Sequence, residues 1–143
     1  MGTVGRLGTW APPADADQAF GADNAYSFMV CPRNVTTPGV DAVFASCRRL
    51  GWETLACSPF VRGWHLDKMV VAAAGRVAGD GAEVRARLAD LMLRHSLFAP
   101  DVDRLIVAIR DPRWVAANAE SCRRGPLNQA EQSLLASIVS DVA

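Results

Sequence analysis

An α/β fold built on a parallel sheet is the fold class this sequence predicts, and three observations carry it. Short, continuously apolar runs at residues 27–31, 52–57 and 105–109 alternate with segments whose apolar side chains recur at helical spacing. Pro and Gly punctuate the junctions between the two kinds of segment. Half of the 143 residues are apolar, which is enough for one continuous core, so residues 1–143 read as a single domain.

Taken in order, residues 1–26 form an irregular opening rich in Gly and Pro, within which residues 3–10 offer one weak strand. Residues 27–31 (Ser-Phe-Met-Val-Cys) are an apolar run stopped by Pro32, as suits a buried strand. Thr37-Pro38-Gly39 then opens a helix whose stripe is Val40, Val43, Phe44, Cys47 and Leu50. Arg48 and Arg49 complement its C-terminal dipole and Gly51 stops it. Residues 52–57 are the second strand, and they run into Ser58-Pro59-Phe60-Val61-Arg62-Gly63-Trp64, where Pro and Gly forbid regular structure. A short helix fits residues 66–74. Residues 82–95 form the clearest helix, with Val84, Leu88, Leu91, Met92 and His95 on one stripe and Arg85, Arg87 and Asp90 off it. The third strand, residues 105–109, ends at Arg110, and Asp111 as N-cap with Pro112 at the first helical position starts a helix over residues 112–124. Gly125-Pro126 ends that helix. Asn128 and Glu131 form a capping box for a last helix burying Leu134, Leu135, Ile138, Val139 and Val142.

Three or four parallel strands joined by right-handed crossovers fit a small open α/β sheet, and they equally fit an arc of a (βα)₈ barrel, which needs eight strands to close. In both, the loops after the strands, residues 32–37, 58–64 and 110–114, gather on the face where parallel sheets bind ligands.

Charge and composition narrow the partners. Fifteen basic and fifteen acidic residues cancel, leaving no electrostatic footprint for nucleic acid or an anionic membrane. No apolar run approaches the roughly 20 residues that span a bilayer, and residues 1–6 lack the apolar stretch of a secretory signal, so a cytoplasmic location is expected. Cys31, Cys47, Cys57 and Cys122 are widely spaced with no zinc pattern, and are expected to be buried, reduced thiols.

Arg110 is the sharpest candidate for chemistry. A guanidinium at a strand end beside a helix N-terminus suits a phosphate or carboxylate, and the plain alternative is an ion pair with Asp111 or Asp103. Arg113, in the first helical turn where the dipole disfavours a cation, is better explained with an anion nearby. Asp111 has the wrong sign for holding one. The loop from Ser58 to Gly63 adds a hydroxyl, a Gly allowing close backbone approach, and Arg62. Its plain reading is a turn that tucks Phe60 and Trp64 into the core. His65 beside this loop is a weak proton-donor candidate, and His95 reads as a core residue. Phosphate loops of the Gly-x-Gly-x-x-Gly and Gly-x-x-x-x-Gly-Lys-Ser/Thr types are absent.

The order of these motifs resembles the C-terminal half of the aldo-keto reductases, (βα)₈ barrels that use NADPH, over about residues 27–143. In that family a strand ends in Ser-Pro-Leu followed by a Gly and often a Lys, and this chain has Ser58-Pro59-Phe60, Gly63 and Lys68. A later family strand reads Val-Ile-Val-Gly-x-Arg-Ser, matched by Leu105-Ile106-Val107-Ala108-Ile109-Arg110-Asp111. A helix with Glu-Asn follows, matched by Ala117-Asn118, and then Pro-Leu-Ser-x-Glu-Glu, matched by Pro126-Leu127-Asn128-Gln129-Ala130-Glu131.

The resemblance implies a partial (βα)₈ barrel of three to four βα units and an NADP half-site. Ser58, Phe60 and Gly63 would contact the pyrophosphate, Arg110 with Asp111 beside it would approach the 2′-phosphate, and Asn118 would face the adenine. The family's catalytic Asp, Tyr, Lys and His belong to the first half of its barrel, and no tetrad position carries over, since the single tyrosine, Tyr26, precedes the first firm strand. The expected function is therefore an aldo-keto reductase-like half-site that is an oxidoreductase only with a complementary half-barrel chain, or as a homo-oligomer. Asp111 in place of a small hydroxyl residue points to NAD, or to no cofactor. The alternatives are a truncated relative serving as a binding or structural module, and a small open α/β domain for another phosphorylated ligand.

Overall fold

The computed structural model describes residues 5–21, 25–61 and 63–142. Four parallel strands, β1 (Leu7–Trp10), β2 (Tyr26–Pro32), β3 (Glu53–Cys57) and β4 (Arg104–Ile106), lie side by side in chain order. The helices are α1 (Val40–Arg49), α2 (Trp64–Ala72), α3 (Gly81–Leu97), α4 (Arg113–Arg124) and α5 (Gln129–Val139). A 3₁₀ helix over Pro13–Phe20, absent from the sequence reading, follows β1 and buries Ala16. The weak strand expected at residues 3–10 is realised as β1; residues 3 and 4 lie outside the described residues.

The sheet is covered on one face. Register pairs Met29 with Thr54 and Cys31 with Ala56, and all four are buried beneath Val40, Val43, Phe44 and Cys47 of α1. Trp52 closes the lower end of this layer, with ring contacts to Phe20 at 5.6 Å and Tyr26 at 6.1 Å. Leu50, expected on the α1 stripe, is instead half exposed, because the helix ends at Arg49 and the turn to Gly51 carries Leu50 off the sheet.

The opposite face carries Gly8, Trp10, Phe28, Val30, Leu55 and Ile106, and none of these belongs to either core cluster. Trp10 and Ile106 are exposed at 60% and 46%. Phe28 lies so close over Gly8 that a Cβ there would stand 2.1 Å from its ring, so any side chain at position 8 would displace that ring. At one end of this face Glu53 bridges Arg6 at 2.6 Å and Arg104 at 2.5 Å. Parallel sheets are ordinarily covered on both faces, so this apolar surface is an unfilled side of the architecture.

Thr54 fixes where β4 begins. Its buried hydroxyl lies 2.5 Å from the Asp101 carbonyl and 3.0 Å from the Asp103 carboxylate, while its backbone N–H donates to Asp103 at 2.8 Å. Burial pushes the Asp103 carboxyl up, but the Thr54 donors and Arg48 outweigh this and hold it low. The strand expected over residues 105–109 stops at Ile106. Ile106 pairs with Cys57, and the residue after Cys57, Ser58, turns into the left-handed region, so Val107 has no ladder to join.

A second core joins Leu66 and Met69 of α2 with Ala73 just after it, Val84, Leu88, Leu91 and Met92 of α3, and Leu135 and Ile138 of α5. Helices α3 and α5 start with capping boxes, Asp80 with Glu83 and, as expected, Asn128 with Glu131. Through this layer runs Arg94, 4% exposed, which the sequence reading did not single out. It donates to the carbonyls of Gly125 (2.7 Å) and Pro126 (2.9 Å), to Asp90 (3.2 Å), and to both oxygens of Glu131 (2.9 and 2.8 Å). Asp90, read as lying off the buried stripe, is 7% exposed because this guanidinium and those of Arg87 and Arg124 draw it inward.

The Arg94 hydrogen bonds hold the Glu131 carboxyl down from 4.5 to about 2. A depressed carboxyl stabilises the fold fully above its unfolded value and loses that contribution as pH falls through its folded value. Stability should therefore decline between about pH 4.5 and 2, and Glu131→Gln should flatten that part of a denaturation-midpoint curve while lowering the midpoint at pH 7.

Candidate functional site

The loops at the C-terminal ends of β2, β3 and β4 are where the candidate residues fall. Asn34, just past β2 and 6% exposed, ties two of these loops together. Its amide donates to the Ser58 carbonyl at 3.2 Å, and its Oδ1 accepts from the Thr36 N–H at 3.0 Å and the Thr36 hydroxyl at 2.9 Å. The Arg33 N–H extends the β2–β3 ladder by donating to the Cys57 carbonyl at 2.9 Å. Asn34 was not legible beforehand, since an Asn in a polar loop reads as a turn residue and nothing local marks it as buried.

Among the described residues, the loop after β3 holds three at left-handed φ: Ser58 and Val61, each at 56°, and Gly63 at 80°. Such a conformation is uncommon for Ser and an outlier for β-branched Val, and strained backbone of this sort concentrates at sites that hold a ligand. The loop closes on itself through Val61 N–H to the Ser58 carbonyl and Gly63 N–H to the Phe60 carbonyl, both at 3.0 Å. The Ser58 side chain is exposed, with a weak contact to the Cys57 sulfur at 3.8 Å. Phe60 packs half-buried against the α2–α3–α5 core. Gly63 precedes α2, whose N-terminus has no side-chain cap. Arg62 and the side chain of Trp64 lie outside the described residues.

After β4 the chain reaches Arg110, which is exposed and makes no ion pair among the described residues. Neither expected partner is available to it: Asp103 is held by Arg48, and Asp111 by Arg113. The Asp111 carboxylate accepts from the Arg113 backbone N–H at 3.0 Å and from its guanidinium at 2.6 to 3.1 Å. The Arg113 side chain, then its backbone N–H, hold the Asp111 carboxyl below the usual range. Helix α4 starts at Arg113 with Pro112 at the N-cap position, one residue later than expected, and Asp111 caps it from outside. The anion place at this helix end is thus filled by the chain's own carboxylate. Asn118 sits half-buried midway along α4.

Strand pairing puts Ser58 and Val107 at adjacent strand ends, so the β3 and β4 loops leave the sheet side by side. Neither described cavity has Ser58, Phe60, Gly63, Arg110, Asp111 or Asn118 in its wall. Phe60 and Asn118 are half-buried on separate elements, whereas Ser58 and Arg110 are exposed past adjacent strand ends. Trp114, at 48% exposed, and Ile109, at 42%, stand beside them.

His65, read as a loop residue, is buried at the start of α2, and His95 is half-buried on α3. Burial, then the charge of Arg33, lowers the His95 pKa against the opposing charge of Asp41. All four cysteines are free: burial pushes Cys31 up to about 12 and Cys47 up to about 11, Cys57 is half-buried, and Cys122 is exposed on α4, against the expectation of burial. Among the described residues no cluster of His, Cys, Asp and Glu can hold a metal, and no helix is long and apolar enough to cross a membrane. Comparison with known family models, with curated proteins and with solved structures gives no match.

Because Ser58 is exposed and its left-handed backbone favours Gly, Ser58→Gly should raise the unfolding free energy by about 0.5–1 kcal/mol in urea denaturation.

Proposed function

We propose that the chain is an aldo-keto reductase-like half-barrel that keeps a partial dinucleotide site on the β3 and β4 loops, and that it serves as an oxidoreductase only when a complementary half-barrel or a second copy completes it. The observation that carries this reading is the sheet itself: four parallel strands in chain order, helices on one face and an apolar opposite face left open, as in an arc of a barrel. The strained loop from Ser58 to Gly63 stands where the resemblance puts pyrophosphate contacts, and Arg110 is free to meet an anion. An uncovered sheet face with Trp10 and Ile106 exposed favours association.

Asp111 shapes the cofactor preference. Its carboxylate occupies the helix end next to Arg110 and would repel a 2′-phosphate, which favours NAD over NADP. The same observation supports the second reading, a relative that binds no cofactor and acts as a structural module.

Titration with NADH and NADPH, followed by tryptophan fluorescence, separates the two. The first reading expects saturable quenching with NADH favoured. Asp111→Ser keeps a capping oxygen and should shift the preference toward NADPH by about tenfold. No quenching by either nucleotide up to millimolar concentration leaves the structural module. Light scattering tests completion of the barrel: association is expected, and a monodisperse monomer that binds no hydrophobic dye would refute an open half-barrel.

A further inference from the structure

A cavity of about 590 Å³ lies away from these loops, between the end of β2, the C-terminal turn of α3, residues 98–100 and the inner side of α5. That volume falls within the range of small-molecule sites, roughly 300–1,000 Å³. Its wall is mainly apolar, with Val35, Phe98, Leu127, Leu135 and Val139, and its charged side chains are Arg33 and Arg94. No acidic side chain is in the wall among the described residues.

The two arginines differ in what they have left to offer. Arg94 uses all of its N–H groups on carbonyls and carboxylates of the α3–α5 layer. Arg33, 6% exposed, donates through Nε and Nη2 to Asp41 at 3.2 and 3.1 Å and through Nη1 to the His95 carbonyl at 2.9 Å. A guanidinium has five N–H groups, so one on each terminal nitrogen of Arg33 has no partner among the described residues. Its counter-ion Asp41 is 75% exposed and screened by water, while the guanidinium is not. Gln132 and Ser140 supply further hydrogen-bonding groups along the α5 side.

We propose that this cavity binds a small amphiphilic carboxylate, its hydrocarbon body against Phe98, Leu135 and Val139 and its carboxylate on the spare N–H groups of Arg33. A cation-lined wall selects the anion, and an apolar wall selects a body of several carbons rather than a free inorganic ion. The inference is independent of the dinucleotide reading, since no residue is shared between the two.

Calorimetric titration with sodium octanoate and with 1-octanol tests it. The expected result is saturable octanoate binding at one site, with octanol weaker by about tenfold or more. Ala136→Trp places an indole in the cavity from an exposed position on α5 and should weaken octanoate by more than about tenfold with the circular dichroism spectrum unchanged. Arg33→Gln should bring octanoate down to the octanol level. If that variant does not fold, the octanoate-to-octanol ratio in the unaltered protein carries the charge argument. Absence of saturable binding up to millimolar octanoate, equal binding of acid and alcohol, or octanoate binding untouched by Ala136→Trp would each overturn the proposal.

Discussion

The buried guanidinium of Arg94 is the interaction on which the helical layer depends. A charge that deep is tolerated only when every N–H is satisfied, and here the five hydrogen bonds go to groups of three different segments: α3, the Gly125–Pro126 turn and the first turn of α5. The turn between α4 and α5 is thereby held against α3, and Leu127, Leu135 and Ile138 reach the second core. The same clamp sets one wall of the cavity beside Arg33. Removing one partner would strand a buried charge, which is why the network acts as a unit.

A comparable economy of polar groups fixes the sheet. Thr54 and Asp103 exchange hydrogen bonds across β3 and the start of β4, and Asn34 joins the loop after β2 to the loop after β3. Both arrangements act on backbone that leaves the strands, so they determine where each strand ends and how its loop is aimed. The short β4 and the left-handed Ser58 follow from the same geometry, and together they send the β3 and β4 loops off the sheet side by side.

The motif at residues 105–118 shows how far local pattern reaches. A helix start at Asp-Pro was legible ahead of a helical run; the structure has Pro112 at the N-cap position, with the Asp111 carboxylate on the Arg113 N–H one residue outside it. That Arg113, rather than Arg110, takes the Asp111 carboxylate was not legible, because both are within side-chain reach in sequence and only the path of the chain selects between them. Likewise Asp90 reads as lying off the buried stripe of α3, since helical periodicity measures spacing and cannot tell that α5 will close over that side. Asn34 and the Arg33 cavity were invisible for the same reason: their surroundings come from segments distant in the chain, the loop after β3, the end of α3 and helix α5.

Sequence alone determined the class of the protein: apolar runs require a parallel sheet, helical stripes require a covering layer, and caps and Gly stops place the element ends to within a residue or two. It also determined the charge balance and the residue types at each strand end. The tertiary structure decided that the sheet has four strands in chain order with one face open, that β4 stops at Ile106, and which cations are satisfied and which are free. Secondary structure depends on neighbours three or four residues away, whereas burial and ion pairing depend on groups the chain brings together from afar.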